Sequence, residues 1–325
     1  MRHEIVYSVV IPVYNEAATL DELWRRLENE LRRLEGGYEV IFIDDGSRDR
    51  SFEILQEFSQ KHPEIKIIRL SRNFGHQCAL TAGIDHAGGK AVIMMDADLQ
   101  DSPAVIPEFV AKWREGYQVV YAIRTKRKEF VLKRIAFKAF YRLLDIMAPM
   151  KIPRDAGIFS LLDKAVVQAL QEMPERSRYL SGLRSYAGFR QTGIEVERER
   201  RFQGAPKVTP GKLFKLAFDG IFSFSVLPLR MAVIFGFVCS LTSFLIGVVG
   251  LYYKYMLQRQ FLWPFGLTTT FFMGGIQLIF LGIIGEYIGR IYEEVKQRPL
   301  YFIKDKVGFV SGSGSSPAEE SGRSR

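Results

Sequence analysis

The chain has 325 residues and a formal net charge of +9, length enough for an α/β core of about 210 residues and further parts. Neither G-x-G-x-x-G nor G-x-x-x-x-G-K occurs, so a dehydrogenase-type dinucleotide fold and a P-loop are set aside. The basic excess borders apolar C-terminal segments, which points to anionic lipid headgroups rather than nucleic acid. Cys78 and Cys239 fall in a globular half and an apolar segment respectively, so no disulfide is expected. Met1 to Glu4 is charged and leads straight into a strand-like run, so no cleaved signal peptide is expected either.

In chain order, short apolar runs at Ser8–Ile11, Val40–Ile43, Ile65–Leu70, Ala91–Met95 and Val119–Ala122 alternate with helix-like stretches at 19–34, 49–61, 77–87 and 103–115. This alternation predicts a mainly parallel sheet with helices on both faces. Polar groups collect just past the strands: Pro12-Val13-Tyr14-Asn15-Glu16, Asp44-Asp45-Gly46-Ser47, Arg72-Asn73-Phe74-Gly75 and Asp96-Ala97-Asp98. The carboxyl edge of an open α/β sheet is where ligands bind. In extended chain, residues two apart point the same way, so Asp96 and Asp98 aim both carboxylates at one spot. Such a pair repels unless a cation or donor-rich ligand lies between, and a hard divalent ion bridging carboxylate and diphosphate is the simplest occupant.

Past the fifth strand comes a basic cluster, Arg124-Thr125-Lys126-Arg127-Lys128 with Lys133 and Arg134, again at the ligand edge. Residues 130–147 carry apolar side chains at helical spacing with Lys133, Arg134, Lys138 and Arg142 between them. That pattern fits a helix lying in the membrane interface or one packed on the domain.

From Met231 to Tyr253 and from Phe261 to Gly285 the chain carries no charge. As helices these stretches reach roughly 34 and 37 Å, against roughly 30 Å of hydrocarbon, so both can span a bilayer. Only Lys254 to Gln260 separates them, which makes a hairpin. Lys212, Lys215 and Arg230 precede it and Arg290, Lys296, Arg298, Lys304 and Lys306 follow, against Lys254 and Arg259 in the connector. The excess places the N-terminal domain and both termini in the cytoplasm, with the hairpin in the cell membrane. The expected parts are a catalytic domain at 1–210, a juxtamembrane segment at 211–230, spans at 231–253 and 261–285, a cytoplasmic segment at 286–310 and a Ser/Gly-rich disordered tail at 311–325. Small residues such as Gly236, Gly274, Gly282 and Gly285 permit close helix packing, within the hairpin or in a homo-oligomer.

The strand-end motifs, the run RNFGHQCALTAG at 72–83, DADLQD at 96–101 and FDGIFSFSVLPLR at 218–230 together resemble family 2 glycosyltransferases. More narrowly, over roughly residues 5–305, they are similar to polyprenyl-phosphate glycosyltransferases, relatives of dolichol-phosphate mannose synthase, and especially to the bactoprenol glucosyltransferase branch. The resemblance implies a GT-A fold, a nucleotide-sugar donor, Mg²⁺ or Mn²⁺, a polyprenyl phosphate acceptor and an inverting in-line displacement. UDP-glucose is the first choice of donor, with UDP-GlcNAc, another hexose or GDP-mannose as alternatives.

Carried over by residue, the resemblance implies that Pro12, Tyr14 and Glu16 line the base and ribose pocket, with Asp44 or Asp45 and Asn73 also on the donor. Asp96 would contact ribose or sugar hydroxyls and stand beside the metal; Asp98 would be the principal metal ligand, with Gln100 nearby. Asp155 matches the position often proposed as catalytic, although an Asp before a helix is otherwise read as an N-cap. A phosphate monoester loses its second proton near pH ~6, so Asp155 has little deprotonation to perform and is read as base or as orienting group. Arg201 and Lys207, with Arg198, Arg200 and Arg124, are the acceptor-phosphate candidates. The family pattern R-x-x-G-x-S-K-Y is broken here by Pro206 and Val208. A processive synthase would carry Q-x-x-R-W where this chain has Glu175-Arg176-Ser177-Arg178-Tyr179; a non-catalytic membrane module is the third reading.

Overall fold

The computed structural model describes residues 4–125, 156–176, 178–197, 227–256 and 263–309. Strand β1 (Ile5–Val13) is followed by α1 (Leu20–Leu31), β2 (Gly37–Asp44), α2 (Ser51–Lys61), β3 (Ile65–Leu70), α3 (His76–Asp85) and β4 (Ala91–Met94). A 3-10 turn at Pro103–Val105 leads into α4 (Ile106–Arg114) and β5 (Val119–Thr125). Next come β6 (Ala156–Asp163), α5 (Lys164–Glu172), α6 (Leu180–Tyr186), β7 (Gln191–Glu197), α7 (Leu227–Met256), α8 (Trp263–Val295) and β8 (Ile303–Val307).

All eight strands join one sheet in the order β7-β5-β6-β4-β1-β2-β3-β8. The pairs β1–β2, β1–β4, β2–β3 and β5–β7 are parallel; β6 runs antiparallel to β4 and β5, and β8 antiparallel to β3. This is a GT-A-like, mainly parallel mixed sheet. Side chains of the inner strands alternate between two apolar layers. Tyr7, Val9, Ile11 and Val13 of β1 join the layer under α1, α2 and α4, whereas Val10, with Ile43 and Met94, joins the layer under α3, α5 and α6.

Local sequence explains how the helices dock. In α1 the buried residues Leu20, Leu23, Trp24, Leu27 and Leu31 recur at helical spacing and form one stripe. In α3 the run Ala79 to Ile84 is buried throughout. A Cβ on Gly83 would collide with Val10 and Ile43, so glycine there lets α3 press onto the sheet. That close approach places the N-terminus of α3 at the carboxyl edge of the parallel strands.

Helix α7 contains the first charge-free stretch and α8 the second from Trp263 on, and the windows Ala232–Val249 and Phe272–Val295 are long and apolar enough to cross a membrane by length and composition. The second helix continues past Gly285 to Val295, where Glu294 Oε1 accepts a bond of 2.8 Å from the Arg176 N–H. The chain then returns to the sheet as β8. The segment read from sequence as a plain cytoplasmic extension therefore contributes an edge strand. Three further differences follow from the pairing. Arg124 lies within β5, opposite Val196 of β7, rather than past the strand. The fourth strand ends at Met94, one residue early. Strands β6 and β7 extend the sheet beyond the five apolar runs. The amphipathic stretch 130–147 and the tail 311–325 lie outside the described residues.

Candidate functional site

The strand order turns at β1: β2 and β3 follow on one side, β4 on the other. Such a switch point opens a crevice past the carboxyl ends of the strands. The ladder between β1 and β4 closes with the Met95 N–H donating to Val10 O at 3.1 Å. Beyond it stands Pro12, buried and without an N–H to extend the ladder, so the two chains part there. On the β2 side the pairing continues, with the Asp45 N–H donating to Val13 O at 2.9 Å.

Asp96 and Asp98 occupy the β4 side of this crevice. They lie in a turn rather than extended strand, yet the alternation persists: Ala97 and Leu99 are buried while Asp96, Asp98 and Gln100 are partly exposed. Leu99 adopts φ 59° and anchors the turn in the apolar layer, and the Gln100 N–H donates to Asp98 Oδ1 at 3.2 Å. His76, the first residue of α3, places Nε2 2.7 Å from Asp96 Oδ1. Burial pushes the His76 imidazolium down, but the bond to Asp96 and the charges of Asp96, Asp45 and Asp98 outweigh it and raise its pKa. The structure thus pairs Asp96 with the imidazole, with the charges of Asp45 and Asp98 acting on the same ring. No sequence signal singled His76 out.

The loops from β1, β2 and β3 brace one another. Asn15 adopts φ 54°; its N–H donates to Ser47 Oγ at 3.0 Å and its Oδ1 accepts from the Arg48 N–H at 2.8 Å. The Glu16 N–H donates to Ser51 Oγ at 2.9 Å. Ser51 Oγ in turn donates to Asp49 Oδ1 at 2.6 Å. Burial raises the Asp49 carboxyl, but the Ser51 hydroxyl and the backbone N–H groups of Ala17 and Ser51 hold it below the ordinary carboxylate range. Tyr14 stands exposed at the rim, 37% accessible.

Asp44 and Asp45 are both buried, at 0% and 3% accessible, and each serves a neighbouring loop. Asp44 Oδ1 accepts from the Ser47 N–H at 3.0 Å, and its Oδ2 lies 3.4 Å from Arg69 Nε. Asp45 accepts from the N–H groups of Phe74 at 2.7 Å and Gly75 at 3.0 Å, while Asn73 Nδ2 donates to the Asp45 carbonyl at 3.2 Å. Burial raises the Asp45 pKa against the lowering effect of those two N–H groups. Gly46 between them takes φ +69°, and a Cβ there would lie 2.7 Å from the Arg72 carbonyl carbon. Only glycine allows the two loops to touch.

Asp155, Arg198, Arg200, Arg201 and Lys207 lie outside the described residues, and of Arg124 only the backbone is described. Arg178 is spent on structure: Nη1 donates to Met173 O at 2.5 Å and Nη2 to Leu170 O at 3.3 Å, closing the end of α5. Arg184 of α6 went unnoticed in the sequence. It is 2% accessible, its three side-chain nitrogens find no hydrogen-bond partner among the described residues, and its guanidinium sits 5.0 Å over the Tyr121 ring. Burial pushes its pKa down to about 10.

One other group, Glu28, His62 and Glu64, has ligand atoms within 4.8 Å of one another. It lies at the opposite end of β3, and the Trp24 indole donates to His62 Nε2 at 3.2 Å. With Nε2 accepting, Nδ1 must carry the proton and faces Glu28 and Glu64 at 3.6 and 3.7 Å as a donor.

A GT-A-like sheet with acidic residues at its switch point fits the glycosyltransferase class. Residues 8–170 match the family model for glycosyl transferase family 2, and the chain belongs to that family. It is 45% identical to the glycosyltransferase YkcC of Bacillus subtilis, covering 95% of this chain and 96% of that one. It is 38% identical to the SfII prophage-derived bactoprenol glucosyl transferase of Shigella flexneri, covering 91% and 97%. Among solved structures, glucosyl-3-phosphoglycerate synthase of Mycobacterium tuberculosis is similar at 19% identity and a TM-score of 0.47, covering 67% of this chain and 79% of the other. The chain is a transferase enzyme.

Proposed function

We propose that this enzyme moves a hexose, glucose first among the candidates, from a UDP-sugar to polyprenyl phosphate at the cytoplasmic face of the inner membrane. The observation that carries the reading is the joining, in one chain, of an acidic switch-point crevice to two membrane-length helices. The bactoprenol glucosyl transferase of Shigella flexneri matches over 91% of the chain, a span that takes in both helices. The catalytic domain is residues 1–210 with β8 returning to its sheet, 211–230 is the juxtamembrane segment, and 231–253 and 261–285 are the spans, with both termini cytoplasmic.

The donor nucleoside lies between Pro12, Tyr14 and Glu16, on loops stiffened by Asp44, Asp45 and Asn73, with Gln100 beside the sugar. Asp98 and Asp96 offer the hard carboxylate oxygens that suit Mg²⁺ or Mn²⁺. A cation bound there offsets charge on the departing nucleoside diphosphate. His76 orients Asp96 through the 2.7 Å contact to Oδ1. Arg201 and Lys207, supported by Arg198, Arg200 and Arg124, receive the acceptor phosphate. Asp155 holds acceptor or sugar in line, because a phosphate dianion needs no base.

The test is incubation of membranes holding the enzyme with radiolabelled UDP-glucose, UDP-GlcNAc and GDP-mannose, followed by identification of the labelled lipid. A short lipid-linked monosaccharide is expected; labelled polymer would instead favour a processive synthase. Asp98→Ala should abolish labelling while leaving the unfolding midpoint unchanged. Near-normal transfer by that variant in chelator refutes the metal assignment.

A further inference from the structure

The strand that follows the second membrane-length helix touches the loop on which the crevice depends. β8 pairs antiparallel with β3, Ile67 opposite Val307 and Leu70 opposite Ile303. One residue before β8, the Phe302 carbonyl accepts from the Ser71 N–H at 2.9 Å, and the Phe302 ring lies 6.2 Å from that of Phe74. Phe74 and Gly75 are the residues whose N–H groups hold Asp45, and His76 follows directly. On the other side Tyr301 OH donates to Asp85 Oδ2 at 2.8 Å at the end of α3, and Phe309 lies 5.8 Å from His86. The segment 301–309 therefore grips both ends of α3.

Tyr301, Ile303, Val307 and Phe309 pack against the apolar layers, while the rest of the segment faces outward. Lys304, Asp305 and Lys306 are exposed, and Phe302 is 55% accessible. Charged residues on an edge strand also keep that edge from pairing with other chains. What the segment does restrain is the path of residues 71–76.

We propose that Phe302 is a positioning residue for the donor site: the strand leaving the second helix fixes loop 71–76, and through it Asp45 and His76, so that donor affinity depends on how the helix pair is seated. This rests on the reading of the crevice as the donor site.

The test uses the full chain in lipid nanodiscs, comparing wild type with Phe302→Ala, Phe302→Tyr and Lys304→Ala. Phe302→Ala should raise the KM for the UDP-sugar roughly 3- to 10-fold, the worth of one aromatic pair, with kcat and the acceptor KM unchanged. Phe302→Tyr should restore the wild-type value, and Lys304→Ala should match wild type. Hydrogen exchange supplies a readout independent of turnover: the amides of Phe74 and Gly75 should exchange about fivefold faster in Phe302→Ala, while those of α1 do not change. A fall in kcat at unchanged donor KM, an equal rise in both KM values, or unaltered exchange at Phe74 and Gly75 overturns the proposal. If wild type turns over no UDP-sugar while the exchange difference persists, the functional reading fails and the positioning role stands.

Discussion

Arg184→Met should make the protein more stable. The guanidinium is 2% accessible with no hydrogen-bond partner for any of its nitrogens among the described residues, and its pKa is pushed down from the ordinary guanidinium range to about 10. At about 1.36 kcal/mol per unit, that displacement sets about 3 kcal/mol against the charged form in the folded chain. The sign follows from linkage. Because the folded value is depressed, the unfolded chain holds the proton more tightly, and the penalty is present in full at every pH below about 10. The Tyr121 ring at 5.0 Å returns ~0.5–2 kcal/mol. Methionine keeps an unbranched, polarisable chain beside the Tyr121 ring, so the net gain is about 1–2 kcal/mol. For a folded unit of this size the unfolding midpoint should rise by roughly 2–8 °C, measured by thermal unfolding of the full chain in one detergent. A midpoint lowered by about 2 °C or more would show that the charge is compensated in the folded state, and the reasoning would fail.

Acid should loosen the segment 301–309. Burial lowers the His86 pKa, helped by Lys306 and opposed by the Ala82 carbonyl and Asp85, so the neutral ring favours the folded state and its contribution is lost as pH falls below about 6.5. Between about pH 7 and pH 5 the midpoint of wild type should drop further than that of His86→Gln; equal drops would remove His86 as the cause. Asp155→Asn should lose activity to the same degree at all pH values if Asp155 orients the acceptor, since Asn keeps one acceptor oxygen but not the charge. Recovery of Asp155→Asn above about pH 7, where the acceptor is dianionic, would make Asp155 the base.

The parallel half of the sheet could be read from the chain because each buried strand is an unbroken apolar run that stops at a polar loop, as in Val40–Ile43 before Asp44-Asp45-Gly46-Ser47. The other strands hide for different reasons. β8, with the sequence Ile-Lys-Asp-Lys-Val, is an edge strand whose middle residues face solvent, so it lacks the apolar content of a core strand. β7, Gln191–Glu197, buries only Ile194 and Val196. β6 is apolar at Ile158-Phe159 and Leu161-Leu162, but it pairs antiparallel with β4 and β5, and no βα repeat announces it.

The crevice divides along the same line. Asp96 and Asp98 draw notice in the sequence because two carboxylates follow an apolar run, but the Gln100 N–H and His76 that hold them do not. Asp44 and Asp45 read as the same kind of signal, yet their oxygens turn inward to Ser47, Phe74 and Gly75; a sequence shows that a carboxylate stands at the edge, not which way the next loop comes. His76 acquires meaning only when α3 presses onto the sheet at Gly83 and brings Nε2 to Asp96, a residue twenty positions along. Arg184 is the opposite case. An arginine between Leu183 and Ser185 reads as solvated surface, and only the short helix α6 lying on Tyr121 buries it. Chemistry carried by neighbours in sequence was readable; chemistry made by two elements meeting was not, and the contact of Phe302 with Phe74 belongs to that second kind.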